Sequence, residues 1–405
     1  MTPDDLARRI NAVDLPKVVL YVTGGGTEVF PILLAGGGGS ATLIAGRIPY
    51  DPNDFRAALG HDPGRMVGEG AARGLAMAAF RHGLSIRGEI PADSVIGIGA
   101  TSKLSRGPGE REGRSHEIHA ACQSSWQTDV RSVLLPPGGD RRWEERINAL
   151  VILNLIAAYK GDEVGLTLEF EGRTVPADAI SERQDSWIEC NCRDLQDILV
   201  GRRRWAIVEL PLGSRPGGVD ASDADRPRLI LPGSFRPVHA GHIRMAEIAS
   251  GLMGLPCSFE LSLCHPEKPP LDYLAIASRL RGFADVRGWI YLTDAPTYVE
   301  KARLFPGATF VVGHDAALRI LDPRFYGGPE GRDAILAELE SLGTRFLIFG
   351  RLDDRREFRQ ISAGAFDHPA VARFLGRNTR TVPEELFRVD VSSTEIRIRD
   401  GLDLP

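Results

Sequence analysis

At 405 residues the chain exceeds a usual single domain, and roughly 150 residues per domain makes two or three domains the expectation. Its 49 Lys and Arg against 54 Asp and Glu leave a formal charge of −5, which draws it to neither nucleic acid nor an anionic membrane and points to small-molecule partners. Met1 to Arg8 lack a basic stretch followed by an apolar core, no apolar run approaches the ~20 residues that span a bilayer, and 5 cysteines are too few for a disulfide framework, so a cytoplasmic setting is expected.

Lys17 to Tyr21 reads as a strand running into Thr23-Gly-Gly-Gly26, and Gly36 to Gly39 marks a turn where backbone must flex or be closely approached. Gly64 to Arg81 has the spacing of an alanine-rich amphipathic helix, Ser94 to Ile98 that of a strand, and Trp143 to Tyr159 that of a buried helix closing an α/β domain over 1–162. His116-Glu-Ile-His119-Ala-Ala-Cys122 has the composition of a zinc site, but a metalloprotease helix needs its second histidine four residues on and here it is three. Cys190-Asn-Cys192 also lacks zinc spacing and has no second pair, so no protein-bound metal is expected. Residues 163–210 offer a strand-like run, Val164 to Phe170, then a turn at Glu171-Gly172, and no assignable role. From 211 to 227 prolines, glycines and small polar residues replace large apolar ones, as in an exposed linker.

In order and spacing, residues 1 to about 160 resemble the CinA carboxy-terminal family, whose active members deamidate nicotinamide mononucleotide. The family's Glu-Ser-Cys-Thr-Gly-Gly loop corresponds to Leu20-Tyr-Val-Thr-Gly-Gly25, which puts Tyr21 where the nucleophilic serine belongs. Tyr50 matches the tyrosine of Tyr-Ser-Asn-x-x-Lys, while Phe55 stands at the lysine position. Without serine and base, acyl transfer has no machinery, and amidase activity is expected to be absent. A degenerate domain of this kind could still bind a nucleotide or join copies of the chain into a homo-oligomer; a glycine-rich scaffold with no ligand is the alternative.

The C-terminal half, 228–405, alternates strand-like runs (Leu229 to Leu231, Ser258 to Leu263, Trp289 to Leu292, Thr309 to Val312, Arg345 to Phe349, Leu386 to Val389) with helical stretches at Ile243 to Leu252, Tyr273 to Phe283 and Arg332 to Leu342. That alternation predicts a parallel, Rossmann-like sheet, and hence two α/β domains in all, with a site at the strand C-termini near the topological switch point. Its first strand ends in Pro232-Gly-Ser-Phe-Arg-Pro-Val-His-Ala-Gly-His242, delivering two histidines to a helix start, where free amides and the helix dipole favour an anion. Ser392, Ser393 and Thr394 are helix-capping residues able to grip phosphate oxygens, and Arg397 stands about one turn further on.

The spacing Gly-x-Phe-x-Pro-x-His-x-Gly-His, together with Val391-Ser-Ser-Thr-Glu-Ile-Arg397, resembles the two signatures of the HxGH nucleotidylyltransferases, which join a nucleoside triphosphate to a phosphorylated acceptor and release pyrophosphate. The resemblance implies catalytic roles for His239, His242, Lys268 and Arg397. It implies nucleotide contacts from Gly233, Ser234, Phe235, Gly241, Gly313, Asp315, Ser392, Ser393 and Thr394. ATP and a small phosphorylated acceptor are the expected partners, with Mg2+ bound through the phosphates. Nicotinamide or nicotinate mononucleotide is the acceptor suggested by the character of the first half. Another acceptor such as phosphopantetheine, CTP in place of ATP, or a non-catalytic nucleotide-binding regulator are the competing readings.

Overall fold

The computed structural model describes residues 1–107, 110, 113–162, 164–212, 226–265, 270–353, 357–362, 364 and 366–388. They form two compact α/β units, one of Met1–Glu189 with Glu267–Ala277, the other of Cys190–Pro266 with Ser278–Leu404. No helix among the described residues is long and apolar enough to cross a membrane.

The first unit runs α1 (Pro3–Ala12), β1 (Lys17–Thr23), α2 (Val29–Ala35), β2 (Leu43–Arg47), α3 (Pro52–Leu59), α4 (Glu69–Ile86), β3 (Val95–Lys103), β4 (His116–Gln123), β5 (Gln127–Leu135), α5 (Arg141–Tyr159), β6 (Glu169–Phe170), β7 (Arg173–Thr174) and β8 (Ile180–Ser186). Its sheet has the order β2-β1-β3-β4-β5-β8; the first three strands are parallel and the rest antiparallel. Strand period shows plainly in β1. Val18, Leu20 and Val22 enter a core shared with α1, α2 and α5, while Val19 and Tyr21 enter a second one with Phe55 and Leu59 of α3 and Leu75 and Ala79 of α4.

Two expectations for this unit need correction, and a third stretch takes a form the sequence left open. The helix expected from Gly64 starts at Glu69, because Pro63, Gly64 and Gly68 keep the preceding residues in turns. His116–Cys122 is a strand, so His116 and His119, three residues apart, face opposite sides: one meets Glu144 of α5, the other Ser132 of β5. Val164 to Phe170 is a strand only at its end, since the Asn154 amide takes the Leu166 N–H and C=O that a ladder would use. The turn at Glu171-Gly172 is present and joins β6 to β7.

The second unit contains α6 (Leu195–Leu199), β9 (Trp205–Leu210), β10 (Leu229–Pro232), α7 (Ala240–Met253), β11 (Ser258–Ser262), α8 (Tyr273–Arg281, whose first residues count with the first unit), β12 (Gly288–Thr293), α9 (Tyr298–Leu304), β13 (Thr309–Gly313), α10 (His314–Leu321), α11 (Pro329–Ser341), β14 (Arg345–Phe349), the short pair β15 (Arg351–Leu352) and β16 (Phe358–Arg359), α12 (Pro369–Asn378) and β17 (Thr379–Val382). The sheet order is β17-β14-β13-β10-β11-β12-β9, parallel except for β9, which runs antiparallel along β12. Residues 163–210 thus divide, β8 extending one sheet and β9 the other.

From β10 the chain moves outward through β11 and β12, then returns to lay β13 on the other side of β10. The two connections leave in opposite directions there, which makes the C-terminal ends of β10 and β13 the switch point of the sheet. Leu386 to Val389 does not form the expected strand over its described part. Leu386 turns back by an N–H bond to Pro383 O, and Phe387 packs edge-on against Phe349 at 4.9 Å. The strand added beyond β14 is β17, whose Thr379-Arg-Thr-Val382 is mostly polar, as an edge can be.

Candidate functional site

β10 carries Leu229, Ile230 and Leu231 fully into the core and ends at Pro232. Gly233 comes next because nothing larger fits: a Cβ there would stand 2.6 Å from the ring of Phe235. That ring is buried and meets Phe259, Phe283 and His242 edge-on, at 5.7, 5.0 and 5.2 Å. Packing of this kind holds Phe235 at φ +44°, a region non-glycine residues rarely adopt. Arg279 fixes the loop further by donating to Ser234 O at 2.9 Å. The Gly-x-Phe element is therefore a steric unit that anchors the loop and sets the direction in which the chain enters α7.

His239 is the N-cap of α7 and His242 its third helical residue. Their rings stack at 3.8 Å between centroids, and the His239 N–H donates to His242 Nδ1 at 3.2 Å. An accepting Nδ1 carries no proton, so the neutral His242 ring has its hydrogen on Nε2 and presents a donor there. Burial, and then the neighbouring His239, push the His242 pKa down to about 3; burial also lowers His239. Both rings are neutral near pH 7. His239 Nδ1 is buried without a hydrogen-bond partner among the described residues. At the first two helical positions the amides of Ala240 and Gly241 have no preceding carbonyl within the helix to bond.

Beside this end, Leu229 and Ile230 of β10 pair with Thr309 and Phe310 of β13. The strand β13 ends at Gly313, the N-cap of α10, so a second helix starts at the C-terminal end of the neighbouring strand. Asp315 is exposed and ion-paired with Arg351. Its expected direct contact with nucleotide therefore competes with an arginine that already engages its carboxylate. His314, which sequence reasoning passed over between Gly313 and Asp315, is half-buried, its Nδ1 lacks a partner among the described residues, and burial lowers its pKa. The sheet thus places Gly233, Ser234, Phe235, His239, Gly241 and His242 at one strand end and Gly313, His314 and Asp315 at the adjacent one. Lys268, Ser392, Ser393, Thr394 and Arg397 lie outside the described residues.

The corresponding end of β1 in the first unit is differently built. Tyr21 is 5% exposed, bonded to His82 Nδ1 at 2.9 Å, and Phe55 is fully buried beside it in the same apolar cluster. A Cβ on Gly24 would stand 2.2 Å from Ser102 O, and the Thr27 N–H and hydroxyl both donate to Glu145, each at 2.7 Å. Protein atoms fill the glycine turn.

No protein-family model matches the chain, and no curated protein matches it. Among solved structures it is similar, over its N-terminal part, to a competence/damage-inducible protein CihA from Agrobacterium tumefaciens, at 20% identity over 39% of this chain and 94% of that one, with a TM-score of 0.32. It is similar also to a competence-damaged protein (CinA) superfamily protein from Enterobacter cloacae (15% identity, 40% and 93% covered, TM-score 0.33) and to a competence or damage-inducible protein from Enterobacter asburiae (18% identity, 39% and 99% covered, TM-score 0.32).

Proposed function

We propose that the second unit is a nucleotidylyltransferase that moves an adenylyl group from ATP to a small phosphorylated acceptor. Nicotinamide or nicotinate mononucleotide is the best candidate. The observation that carries the reading is the stacked His239–His242 pair at the start of α7, with the Nε2–H of His242 left as a donor at the switch point of a doubly wound sheet. The acceptor phosphate attacks the α-phosphorus in line, the bond to the β-phosphate oxygen breaks, and pyrophosphate leaves. No protein nucleophile is needed, so the chain's part is positioning and charge stabilisation.

In this reading His242 donates from Nε2 to an α- or β-phosphate oxygen and His239 orients the triphosphate. The free amides of Ala240 and Gly241 add donors at the positive end of the helix dipole. Ser393, Thr394 and Arg397 hold the β and γ groups, and Lys268 stands beside the phosphates. Asp315, at the end of β13, is ion-paired with Arg351. In this reading Mg2+ would enter with the nucleotide, held through its phosphates.

Pyrophosphate release by the full chain, with ATP or CTP and a panel of phosphorylated acceptors, tests the proposal. Release that requires both ATP and a mononucleotide supports it. Nucleotide binding with no release under any combination would mark the unit as a regulator instead.

A further inference from the structure

The first unit contains a second feature, at the end of its sheet opposite the glycine turn. Register fixes the location: Tyr21 pairs with Gly99 near the turn, whereas Gly97 pairs with Gln123, so the β4–β5 turn through Trp126 lies at the other end. There a cleft of about 320 Å³ opens between β5, β8 and the last turn of α5, within the size range of small-ligand sites.

Two of its walls are aromatic. Trp126 and Tyr159 stand 5.9 Å apart with their rings inclined at 37°, forming a wedge. Between strand and helix sits Asp129, half-buried. The Tyr159 hydroxyl and the Gln127 amide, the latter at 2.8 Å, both donate to its Oδ2. Oδ1 accepts nothing among the described residues.

The other charges of the cleft are spoken for. Arg131 pairs with Glu182 at 3.3 Å, and Arg183 pairs with Glu69 at 2.8 Å. Asp129 has no ion pair of its own among the described residues, and desolvation raises its pKa against the opposing pull of Tyr159, Gln127 and the nearby Arg131. A ligand that suits these walls offers N–H donors in a plane to Oδ1, a positive charge to the carboxylate, and a flat body to the two rings. Phosphate and carboxylate ligands do not, because both arginines already have acidic partners.

We propose that this cleft binds a small planar organic cation of the amidinium or guanidinium class, held by Asp129 Oδ1 and lying against the edge of the Trp126–Tyr159 pair. The site is independent of the nucleotide reading of the second unit, and its test uses neither ATP nor acceptor.

Benzamidine is a suitable probe and benzamide its uncharged counterpart, titrated by calorimetry into the full chain. Expected is saturable binding of one benzamidine per chain, with benzamide at least ~10-fold weaker, since the charge-assisted contact is lost. Asp129→Asn should weaken benzamidine at least ~10-fold. Trp126→Leu, at a half-buried position, should weaken it several-fold while leaving the melting temperature near that of the parent. Tyr159→Phe keeps the ring and frees Oδ2, so binding should persist. Absence of saturable binding, equal affinity for benzamide, or an Asp129→Asn variant that binds as the parent does would each overturn the proposal. If Asp129→Asn does not fold, the benzamide comparison and Trp126→Leu decide it.

Discussion

The two α/β units use the same architectural position in opposite ways. In each, the chain leaves the C-terminal end of a central parallel strand through glycine and enters a helix. In the first unit that end is filled. Tyr21 is tied to His82, Phe55 occupies the neighbouring space, and Gly24 lies against the Ser102 carbonyl. At the second unit's strand end, glycine makes room for a buried phenylalanine, and the groups beyond it, His239 and His314, keep ring nitrogens without partners among the described residues. The contrast shows that a glycine-rich strand end signals close approach, and that the atoms doing the approaching decide whether the approach is packing or a site.

The largest expected effect falls on the open strand end. His242→Ala removes the donor at Nε2 and should lower pyrophosphate release at least ~100-fold, about 3 kcal/mol of transition-state stabilisation, with the circular dichroism spectrum unchanged. An undiminished rate would take His242 out of the mechanism and leave the two strand ends alike. Next comes the filled end: Gly24→Ala places a methyl 2.2 Å from Ser102 O at φ +81°, and should cost about 3 kcal/mol in denaturant unfolding. By contrast Gly313→Ala, at the adjacent end of β13, meets nothing within 4 Å and should cost under about 1 kcal/mol, mostly the loss of a good N-cap. Equal costs would mean that the Gly24 turn is not packed as tightly as its 2.2 Å approach to Ser102 O implies.

The parts of the molecule legible in the sequence are those whose signals are local. The β10 to α7 passage was readable because Gly233, Phe235, His239 and His242 lie within ten residues and their roles are set by near neighbours. The α/β alternation and parallel sheet of the second unit were readable for the same reason. β4 and β5 were not, because Ala120, Ala121 and Cys122 give a weak strand signal and the strand is fixed by pairing across the hairpin and by the α5 face behind it. Nor was β17, a polar edge strand. Tyr273 read as the start of a helix of the C-terminal half, yet it is fully buried in the first unit, its hydroxyl donating to Ser125 O at 2.5 Å. Sequence distance hid that partnership. His314 was missed because the glycine and aspartate flanking it carry the stronger motif signal, and only the structure shows its Nδ1 without a partner among the described residues.

Proton linkage gives a smaller, pH-resolved test of the open end. An unfolded histidine titrates near 6.5, whereas burial holds His242 at about 3, so below pH 6.5 the unfolded chain takes up a proton that the folded one refuses. This part of the stability is fully present above about pH 6.5 and is lost as pH falls toward 3. Because the ring is not wholly enclosed, about 2 kcal/mol is expected rather than the full value of the shift. His242→Asn, which can accept from the His239 N–H but does not titrate, should flatten the stability profile across that window. A profile unchanged by the substitution would mean that His242 is protonated normally in the folded chain.

A comparably small effect is expected at the filled end, from Tyr21→Phe. The substitution keeps the ring in its apolar cluster, where Arg47 lies 5.9 Å over its face, and removes only the hydroxyl bonded to His82 Nδ1. Losing one half-buried hydrogen bond should cost about 1 kcal/mol in unfolding experiments. Ammonia release from nicotinamide mononucleotide should be at background in the parent chain and in the variant alike. A phenol is a poor nucleophile at neutral pH, and Phe55, at the position where the family it resembles has lysine, offers no activating amine. The hydroxyl is also committed to His82 inside a packed wall, so substrate has no room to approach it. Steady ammonia release by the parent that Tyr21→Phe abolishes would show that the Tyr21–His82 pair works as a nucleophile and base, and the first strand end would then be a site rather than packing.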